Sequence, residues 1–353
     1  MRRHEGDIMK TALILFNLGG PDQPSAVAPF LVNLFRDPAI ISLPNPLRWL
    51  VAKLIAGRRA PVARSIYERI GGGSPLLGNT QAQALALEAA LGPDFKSFIV
   101  MRYWHPMSEE QSRAVQAWAP DRILLVPLYP QFSSTTTGSS VTDWRRAARS
   151  IGLDVPTKLL CCYPQDEGFV EAVAGLVQQA LAEQGVAGMP GKPPRVLFTA
   201  HGLPKKTVKA GDPYQWQVER TVVAVVDRLA IDGLDWSICY QSRVGPLEWI
   251  GPSTGREIER AGREGISLIL VPIAFVSEHS ETLVELDIEY RELAHHAGVP
   301  GFHRVPTVST VPAFIDGLTR QIRRLQAGDE PLCSGEAGRI CPTSFRRCPW
   351  KGA

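Results

Sequence analysis

Three short apolar segments of this chain recur later in the chain in the same order. The matched segments are residues 12–16 with 196–199, 98–101 with 236–239, and 123–127 with 268–272. Each is continuously apolar, precedes a turn and then a helical pattern, and is typical of a strand buried on both faces of a parallel sheet. The sequence therefore predicts a doubly wound α/β fold, and the repeated order indicates a duplicated strand–helix module.

Length and composition narrow the function classes. The 353 residues are enough for two domains of ordinary size. With 44% hydrophobic and 21% charged residues, the chain has the composition of a folded protein. Its net charge of +3 is too small to favour nucleic acid as a partner. Six cysteines in this length do not form a disulfide scaffold, and they favour a reducing, cytoplasmic compartment.

The amino-terminal residues predict a tail and a first strand. A short apolar run over residues 11–17 is ended by Gly19, Gly20 and Pro21, without a small-residue cleavage site, so a signal peptide is not expected. No apolar stretch approaches the roughly 18 residues that a spanning helix needs. We expect a soluble protein that at most rests on a membrane surface.

The first half of the chain carries an insertion between its first two matched strands. Residues 41–59 of this insertion combine apolar side chains with basic flanks; these are Leu47, Trp49, Leu50, Val51, Leu54 and Ile55, with Arg48, Lys53, Arg58 and Arg59. A basic amphipathic helix of this kind lies in a membrane interface, forms the lip of an apolar pocket, or packs on its own domain. The pattern alone leaves these alternatives open.

Polar loops follow the matched strands, and parallel sheets bind ligands at that edge. The loops are residues 17–21, 102–106, 131–138, 201–204, 241–245 and 277–281. Two halves facing each other would bring these loops to one central cleft. The Gly19–Gly20 pair matches neither dinucleotide nor phosphate-loop motifs, so nucleotide binding is not favoured. His201 at a strand end suits a general base or metal ligand, although a hydrogen-bonded structural role also fits.

The segment from residue 275 to residue 290 is unusually acidic. On an α-helix of about 100° per residue, Glu278, Glu281, Glu285 and Glu289 fall on one stripe with apolar residues on both sides. Asp287 points elsewhere and is placed for an ordinary pair with Arg291. Like charges at this spacing, without a nearby lysine, are unfavourable unless protons or cations are shared along them. The stripe therefore predicts a functional line of carboxylates.

These segments together resemble ferrochelatases, the enzymes that insert ferrous iron into a porphyrin. The matching stretches are residues 17–21, 67–75, 101–106, 124–140, 199–204, 211–214, 240–246, 249–252 and 271–290. The resemblance implies two similar Rossmann-like domains, each with a parallel four-stranded sheet, that face a central cleft. They would span residues 10–160, with an apolar lip at about 38–60, and residues 161–310. A carboxy-terminal helix and cysteine-bearing tail, residues 311–353, would pack back on the body.

The resemblance also implies the site residues. His201 and Glu281 match the catalytic pair, and the metal would meet His201, Glu278, His279, Glu281, Glu285 and Glu289. The residues that match the macrocycle pocket are Leu18, Tyr67, Arg102, Tyr103, Trp249 and Phe275, and those near the propionates are Arg58, Arg59, Ser74 and Ser242. Metal insertion releases two pyrrole protons, which imidazole and carboxylate groups can accept. Whether His201 also binds the metal is left open.

By this resemblance the chain converts protoporphyrin IX and ferrous iron to protohaem, the terminal step of haem biosynthesis. The alternatives are coproporphyrin as substrate, a chelatase for another metal, and a two-lobed metal- or tetrapyrrole-binding protein. The expected partners are the porphyrin, the inner face of the cytoplasmic membrane and a porphyrin-supplying enzyme. Monomer and homodimer are both compatible with the sequence.

Some members of the family bind a 2Fe–2S cluster through four cysteines. This chain offers Cys333, Cys341 and Cys348, with Cys161 or Cys162 as the fourth ligand. The spacing found in animal members is broken, because Ser344 stands where a thiolate is expected. Four thiolates suit iron–sulfur or zinc, and free buried thiols are the alternative.

Overall fold

The first half of the chain is built on a parallel sheet in the order β2-β1-β3-β4-β9. The computed structural model describes residues 9–186, 193–243, 247–328, 332–333 and 338–350. The strands of this sheet are β1 (Thr11–Asn17), β2 (Phe95–Met101), β3 (Arg122–Pro127), β4 (Thr157–Leu160) and β9 (Leu332–Cys333). The continuous apolar run of β1 is buried along its whole length, as a strand covered by helices on both faces requires.

The second half repeats the arrangement in the order β6-β5-β7-β8. Its strands are β5 (Arg195–His201), β6 (Trp236–Gln241), β7 (Leu268–Pro272) and β8 (Phe302–Arg304). All pairs in both sheets are parallel. The two sheets share one strand order, which confirms the predicted fold of two similar α/β units. The first sheet differs from the expected four strands because β9, from the tail, covers the open edge of β4.

Helices connect the strands and cover the sheets. They are α1 (Val27–Phe35), α2 (Asn45–Glu68), α3 (Leu76–Leu91), α4 (Ser108–Trp118), α5 (Thr137–Ser150), α6 (Glu167–Val186), α7 (Lys205–Lys209), α8 (Tyr214–Leu229), α9 (Thr254–Glu264), α10 (Tyr290–His296) and α11 (Pro312–Ala327). A short 3-10 turn, Pro24–Ala26, precedes α1.

One hydrophobic core joins the two halves. It contains Leu13 of β1, Phe198 of β5, and Phe169 and Phe314 from α6 and α11. The two helices cross so closely that a Cβ added at Gly168 would lie 2.2 Å from the carbonyl oxygen of Ala313. Only glycine permits this approach, so the crossing depends on that residue.

The inserted segment forms the long helix α2, whose large apolar side chains are exposed to solvent. The exposed apolar residues of α2 are Leu47, Trp49, Leu50, Leu54 and Val62, while Ala52, Ala56 and Ala60 are buried. Small alanines on the inner face let α2 lie close against α1. The large apolar side chains therefore lie on the solvent side of the helix.

The acidic segment forms a π-helix over Glu281–Glu289, which continues directly into α10. A π-helix has more residues per turn than an α-helix, so the stripe calculated at 100° per residue does not apply to it. Such helices are frequent at functional sites.

None of the helices in the described residues is long and apolar enough to cross a membrane. The domain limits 10–160, 161–310 and 311–353 stay a prediction. Beyond β9, the described part of the tail contacts the second half, where the Arg347 amide donates to the Gly211 carbonyl over 3.1 Å.

Candidate functional site

A histidine and a glutamate from neighbouring elements of the second half form the centre of the site. His201 ends β5, and Nδ1 of its ring lies 2.8 Å from Oε2 of Glu281, the first residue of the π-helix. The side chains are 39% and 24% exposed, so solvent reaches both of them. With a carboxylate as acceptor, Nδ1 carries the proton in the neutral ring, and Nε2 has the free lone pair.

The two groups shift each other's protonation. Burial lowers the pKa of His201, but the Glu281 carboxylate outweighs burial and the net pKa is raised. Burial also raises the pKa of Glu281, but the charge and hydrogen bond of His201 outweigh it and hold the net pKa well below the usual range. Glu281 therefore stays ionised and stabilises the protonated imidazole.

Ser242 connects Glu281 to the next carboxylate. Its backbone amide donates to Oε1 of Glu285 over 2.8 Å, and its hydroxyl lies 3.3 Å from Oε2 of Glu281 and also contacts Oε2 of Glu285. Ser242 has φ of 57°, a left-handed conformation that aims both donors at the acids. Burial raises the pKa of Glu285, and the charge of Glu281 adds to it. The two carboxylates thus differ in proton affinity.

A cavity of about 410 Å³ adjoins this carboxylate pair. Glu285 and Ser242 line it together with Trp249 and Tyr290. The hydroxyl of Tyr290 donates to Oε1 of Glu285 over 3.0 Å. The path His201, Glu281, Ser242, Glu285 therefore ends at this cavity.

The other two acids of the predicted stripe form ion pairs with arginines. Glu278 lies before the π-helix, pairs with Nη1 of Arg304 at 2.8 Å and accepts from the Thr307 amide at 2.9 Å. Burial raises the pKa of Glu278, but Arg304 outweighs it and the net pKa is lowered. Glu289 is half-exposed and lies 3.7 Å from Arg69, the residue that follows α2. Asp287 pairs with Arg291 at 2.6 Å, as predicted.

His279 lies beside the central pair but is fully enclosed. Its Nδ1 lies 3.2 Å from the carbonyl oxygen of Ser277, and its ring centroid lies 4.5 Å from that of Phe275. Burial lowers the pKa of His279, which keeps the ring neutral with Nδ1 as donor. His279 and Phe275 thus form one wall next to Glu281.

Polar side chains of α3 hold the loop before the π-helix across the cleft. Nδ2 of Asn79 donates to the Glu278 carbonyl over 3.0 Å, and Nε2 of Gln83 donates to the Val276 carbonyl over 2.9 Å. These residues and Arg304 were not predicted from the sequence. Asn79 and Gln83 could have been recognised from the sequence, because two amide side chains four residues apart lie on one face of a helix.

Three predicted pocket residues of the first half lie in α2 or in the loops near it. Tyr67 is buried with Leu18, its hydroxyl lies 3.4 Å from the Ser280 hydroxyl, and burial raises the pKa of Tyr67 to about 12. The Ser74 hydroxyl accepts from the Leu76 amide over 3.3 Å, and a Cβ at Gly20 would lie 2.6 Å from it. The contact between Tyr67 and Ser280 therefore joins these first-half residues to the start of the π-helix.

Arg102 and Tyr103 are held in a closed polar network. Nη2 of Arg102 and the hydroxyl of Tyr103 each lie 2.8 Å from Oδ2 of Asp37. Tyr103 is only 1% exposed, and Arg102 is mostly buried. Asp37 was not predicted from the sequence, although it binds both predicted pocket residues.

The remaining predicted pocket residues lie at two separate places. Trp249 forms a β-bridge with Pro204, which brings the indole to the loop that follows His201. Arg58 and Arg59 lie on the exposed part of α2, and the Arg59 guanidinium is 6.0 Å from the Phe35 ring centroid. Within the described residues, the structure does not bring these two arginines into contact with His201 or Glu281.

Four cysteine side chains lie close together at the carboxyl end of β4. Cys161 and Cys162 follow β4 and are buried, as are Cys341 and Cys348 of the tail. Nε2 of Gln217 lies 3.3 Å from Sγ of Cys162 and 3.1 Å from Sγ of Cys341. Hydrogen bonds from Cys161 and Cys341 lower the pKa of Cys348 well below its usual value. Gln217 was not predicted.

Cys333 is the remaining cysteine that was predicted as a cluster ligand. Its backbone pairs with Leu160, directly before Cys161, but its side chain lies outside the described residues. Among the side chains that the structure describes, no group of three or more His, Cys, Asp or Glu residues is arranged as a ready metal site.

Comparison with known proteins agrees with this geometry. The family model of ferrochelatase matches residues 10–325. The chain is 50% identical over 345 residues to a ferrochelatase of Caulobacter vibrioides (96% of this chain, 97% of the relative) and 51% identical over 347 residues to one of Phenylobacterium zucineum (96% and 98%). In fold it is similar to SirB from Bacillus subtilis with Fe3+, with TM-score 0.51 and 14% identity over 90% of this chain and 96% of that one. The sequence resemblance is confirmed, and the chain belongs to the ferrochelatase family.

Proposed function

We propose that this protein inserts ferrous iron into protoporphyrin IX to give protohaem, the terminal step of haem biosynthesis. The observation that carries the proposal is the His201–Glu281 pair, which is open to the cleft on one side and joined through Ser242 to Glu285 on the other. Family membership supports the same reaction.

The reaction exchanges two protons for one metal ion. The neutral porphyrin loses two pyrrole N–H protons as Fe²⁺ binds its four nitrogens, so the site must accept two protons. Nε2 of His201 takes a proton from a pyrrole nitrogen, and the ionised Glu281 stabilises the resulting imidazolium. Each proton then passes from Nδ1 of His201 to Glu281 and on through the Ser242 hydroxyl to Glu285, whose raised pKa suits it to receive one.

Iron handling involves the same groups. Ferrous iron accepts imidazole and carboxylate ligands, and we assign His201, Glu281 and Glu285 to its path. His279 faces Glu281 and can complete that environment. Glu278 and Glu289 are tied to arginines, so the geometry favours them less as iron ligands.

The porphyrin pocket is proposed to lie between the two halves. Leu18, Tyr67, Trp249 and Phe275 provide apolar or aromatic walls at the cleft. Arg102 and Tyr103 back the first-half wall, and Ser74 with the exposed Arg58 and Arg59 are the candidates for the propionates. The donors of Ser242 are already engaged by the two acids, so we place its main role there.

Helix α2 is proposed to rest on the inner face of the cytoplasmic membrane, where a porphyrin-supplying enzyme would deliver substrate. Leu50 and Leu54 are 59% and 55% exposed, and Lys53 lies over Trp49 at 4.0 Å. An exposed apolar face beside basic residues suits an interface with anionic lipid.

A 2Fe–2S cluster is proposed at the cysteine group. The donor chemistry fits, because the side chains of Cys161, Cys162, Cys341 and Cys348 converge, hydrogen bonds from Cys161 and Cys341 lower the pKa of Cys348, and Gln217 supplies an amide donor. The cluster ligands would be Cys333, Cys341 and Cys348 of the tail, with Cys161 or Cys162 as the fourth. The Cys333 backbone lies beside Leu160, directly before Cys161. A bound cluster would link the tail to the body.

Anaerobic incubation of the pure protein with ferrous iron and protoporphyrin tests the proposed function. We expect the porphyrin Soret band to convert to that of haem, faster than with coproporphyrin and faster than with cobalt or nickel. Porphyrin binding without conversion under these conditions would instead support a tetrapyrrole-binding protein.

The cluster has its own test. Protein purified anaerobically should be brown, with visible absorbance and an electron paramagnetic resonance signal after reduction, and Cys341→Ser should lose both. Colourless protein with free thiols, before and after anaerobic reconstitution with iron and sulfide, would contradict the cluster.

A further inference from the structure

A single buried carboxylate connects the beginning of the lip to the pocket wall. Asp37 is 3% exposed and lies between the end of α1 and the segment that leads to α2. Its Oδ1 accepts from the Ala39 amide over 2.8 Å, and its backbone carbonyl accepts from the amides of Ile40 and Ile41. These contacts fix the turn from which the lip departs.

The other oxygen of the same carboxylate serves the wall. Oδ2 of Asp37 accepts from the Tyr103 hydroxyl and from Nη2 of Arg102, each at 2.8 Å, and from the Ser139 hydroxyl. Ser139 belongs to α5 and also accepts from Nε of Arg102 over 2.7 Å. One side chain therefore holds the lip turn, the β2 end loop and α5 together.

The network depends on the charge of Asp37. Arg102 is mostly buried, and the next carboxylate, Asp143, lies 3.9 Å away. Burial raises the pKa of Tyr103 well above its usual value, and Asp37 adds to it, so the phenol stays a donor. Without Asp37, the buried Arg102 guanidinium and the buried Tyr103 hydroxyl would each lose their carboxylate acceptor, and both side chains would reorient.

We propose that Asp37 is a positioning residue that fixes Arg102 and Tyr103 against the porphyrin and sets the lip relative to them. The inference rests on the proposed function, because it assigns the pocket between these elements to the porphyrin. Asp37 touches no reacting atom, and it acts on substrate binding through the two residues that it holds.

The test compares Asp37→Ala and Asp37→Asn with wild type in the full chain. The measurements are the dissociation constant for protoporphyrin, from quenching of tryptophan fluorescence, and the KM for ferrous iron. We expect Asp37→Ala to raise the porphyrin dissociation constant roughly tenfold or more, since it removes charge-assisted hydrogen bonds. Asp37→Asn, which keeps an acceptor, should raise it less. The KM for ferrous iron should change less than about twofold, a split that general loosening of the fold would not give.

Asp166→Asn is the matched control. Asp166 is another buried carboxylate, which accepts from the Phe169 amide and from Gln321 at the α6–α11 contact. This variant should lower the Tm while leaving porphyrin affinity unchanged. An unchanged porphyrin dissociation constant in folded Asp37→Asn and Asp37→Ala would overturn the inference, and so would an equal loss in Asp166→Asn. If Asp37→Ala does not fold, Asp37→Asn alone decides. Wild-type protein that binds no porphyrin would contradict the proposed function itself.

Discussion

Nδ1 of His201 lies 2.8 Å from Oε2 of Glu281, and this contact joins the end of β5 to the first residue of a π-helix. The two residues are far apart in the sequence but fixed by neighbouring strands of one sheet. Each of the two groups therefore shifts the pKa of the other.

Glu281→Gln should change how activity depends on pH. Glu281 raises the pKa of His201 against the effect of burial, so losing the carboxylate lowers that pKa. Activity needs the neutral ring, which exists above the pKa of His201, so the acid limb of the rate profile should move to lower pH. At neutral pH, kcat should fall about 100-fold because the imidazolium loses its counter-charge. Steady-state rates between pH 5 and 9 check this, and an acid limb that stays in place would contradict it.

Arg304→Leu should destabilise the protein by about 3 kcal/mol, because it leaves Glu278 partly buried without a cation. Arg304 lowers the folded pKa of Glu278, so this pair stabilises the fold above the unfolded pKa of about 4.3, and the contribution is lost as pH falls through the folded value. Urea unfolding should therefore show a difference from wild type at pH 7 that shrinks only as the pH falls below about 4.3. Arg291→Ala, which breaks the exposed pair with Asp287, should change stability by less than about 1 kcal/mol.

Gly168→Ala should lower the free energy of unfolding by about 2 kcal/mol or more, since the added Cβ meets the backbone of α11. Gly175→Ala is the matched control in the same helix. A Cβ at Gly175 would have no neighbour within 4 Å, so that substitution should stabilise the protein by roughly 0.5 to 1 kcal/mol. Thermal unfolding of both variants decides, and a tolerated Gly168→Ala would contradict the close helix crossing.

The double substitution Leu50→Glu with Leu54→Glu should abolish binding to anionic vesicles. Both side chains are exposed on α2, where acids would repel lipid headgroups. Cosedimentation with phosphatidylserine vesicles measures the loss. Leu85→Glu, an equally exposed apolar site on α3, should bind vesicles like wild type. Wild-type protein that remains in the supernatant would contradict the membrane role of α2.

The strands were predictable because buried parallel strands carry continuous apolar runs, and all six matched segments lie within β1, β2, β3, β5, β6 and β7. His201 was predictable from its place at a strand end. The separation of Glu278 and Glu289 from Glu281 was not, because Arg304 and Arg69 come from distant parts of the chain. The π-helix was also hidden, since its sequence has an ordinary helical pattern. Asp37 and Gln217 act through tertiary contacts that no local spacing indicates.

Haem formation by His201→Ala, followed under anaerobic conditions at the Soret band with ferrous iron and protoporphyrin, tests the role of the imidazole. We expect the rate to fall by at least about 100-fold while the dissociation constant for protoporphyrin stays near the wild-type value. Haem formation at the wild-type rate, with porphyrin binding retained, would contradict the central role of the His201–Glu281 pair.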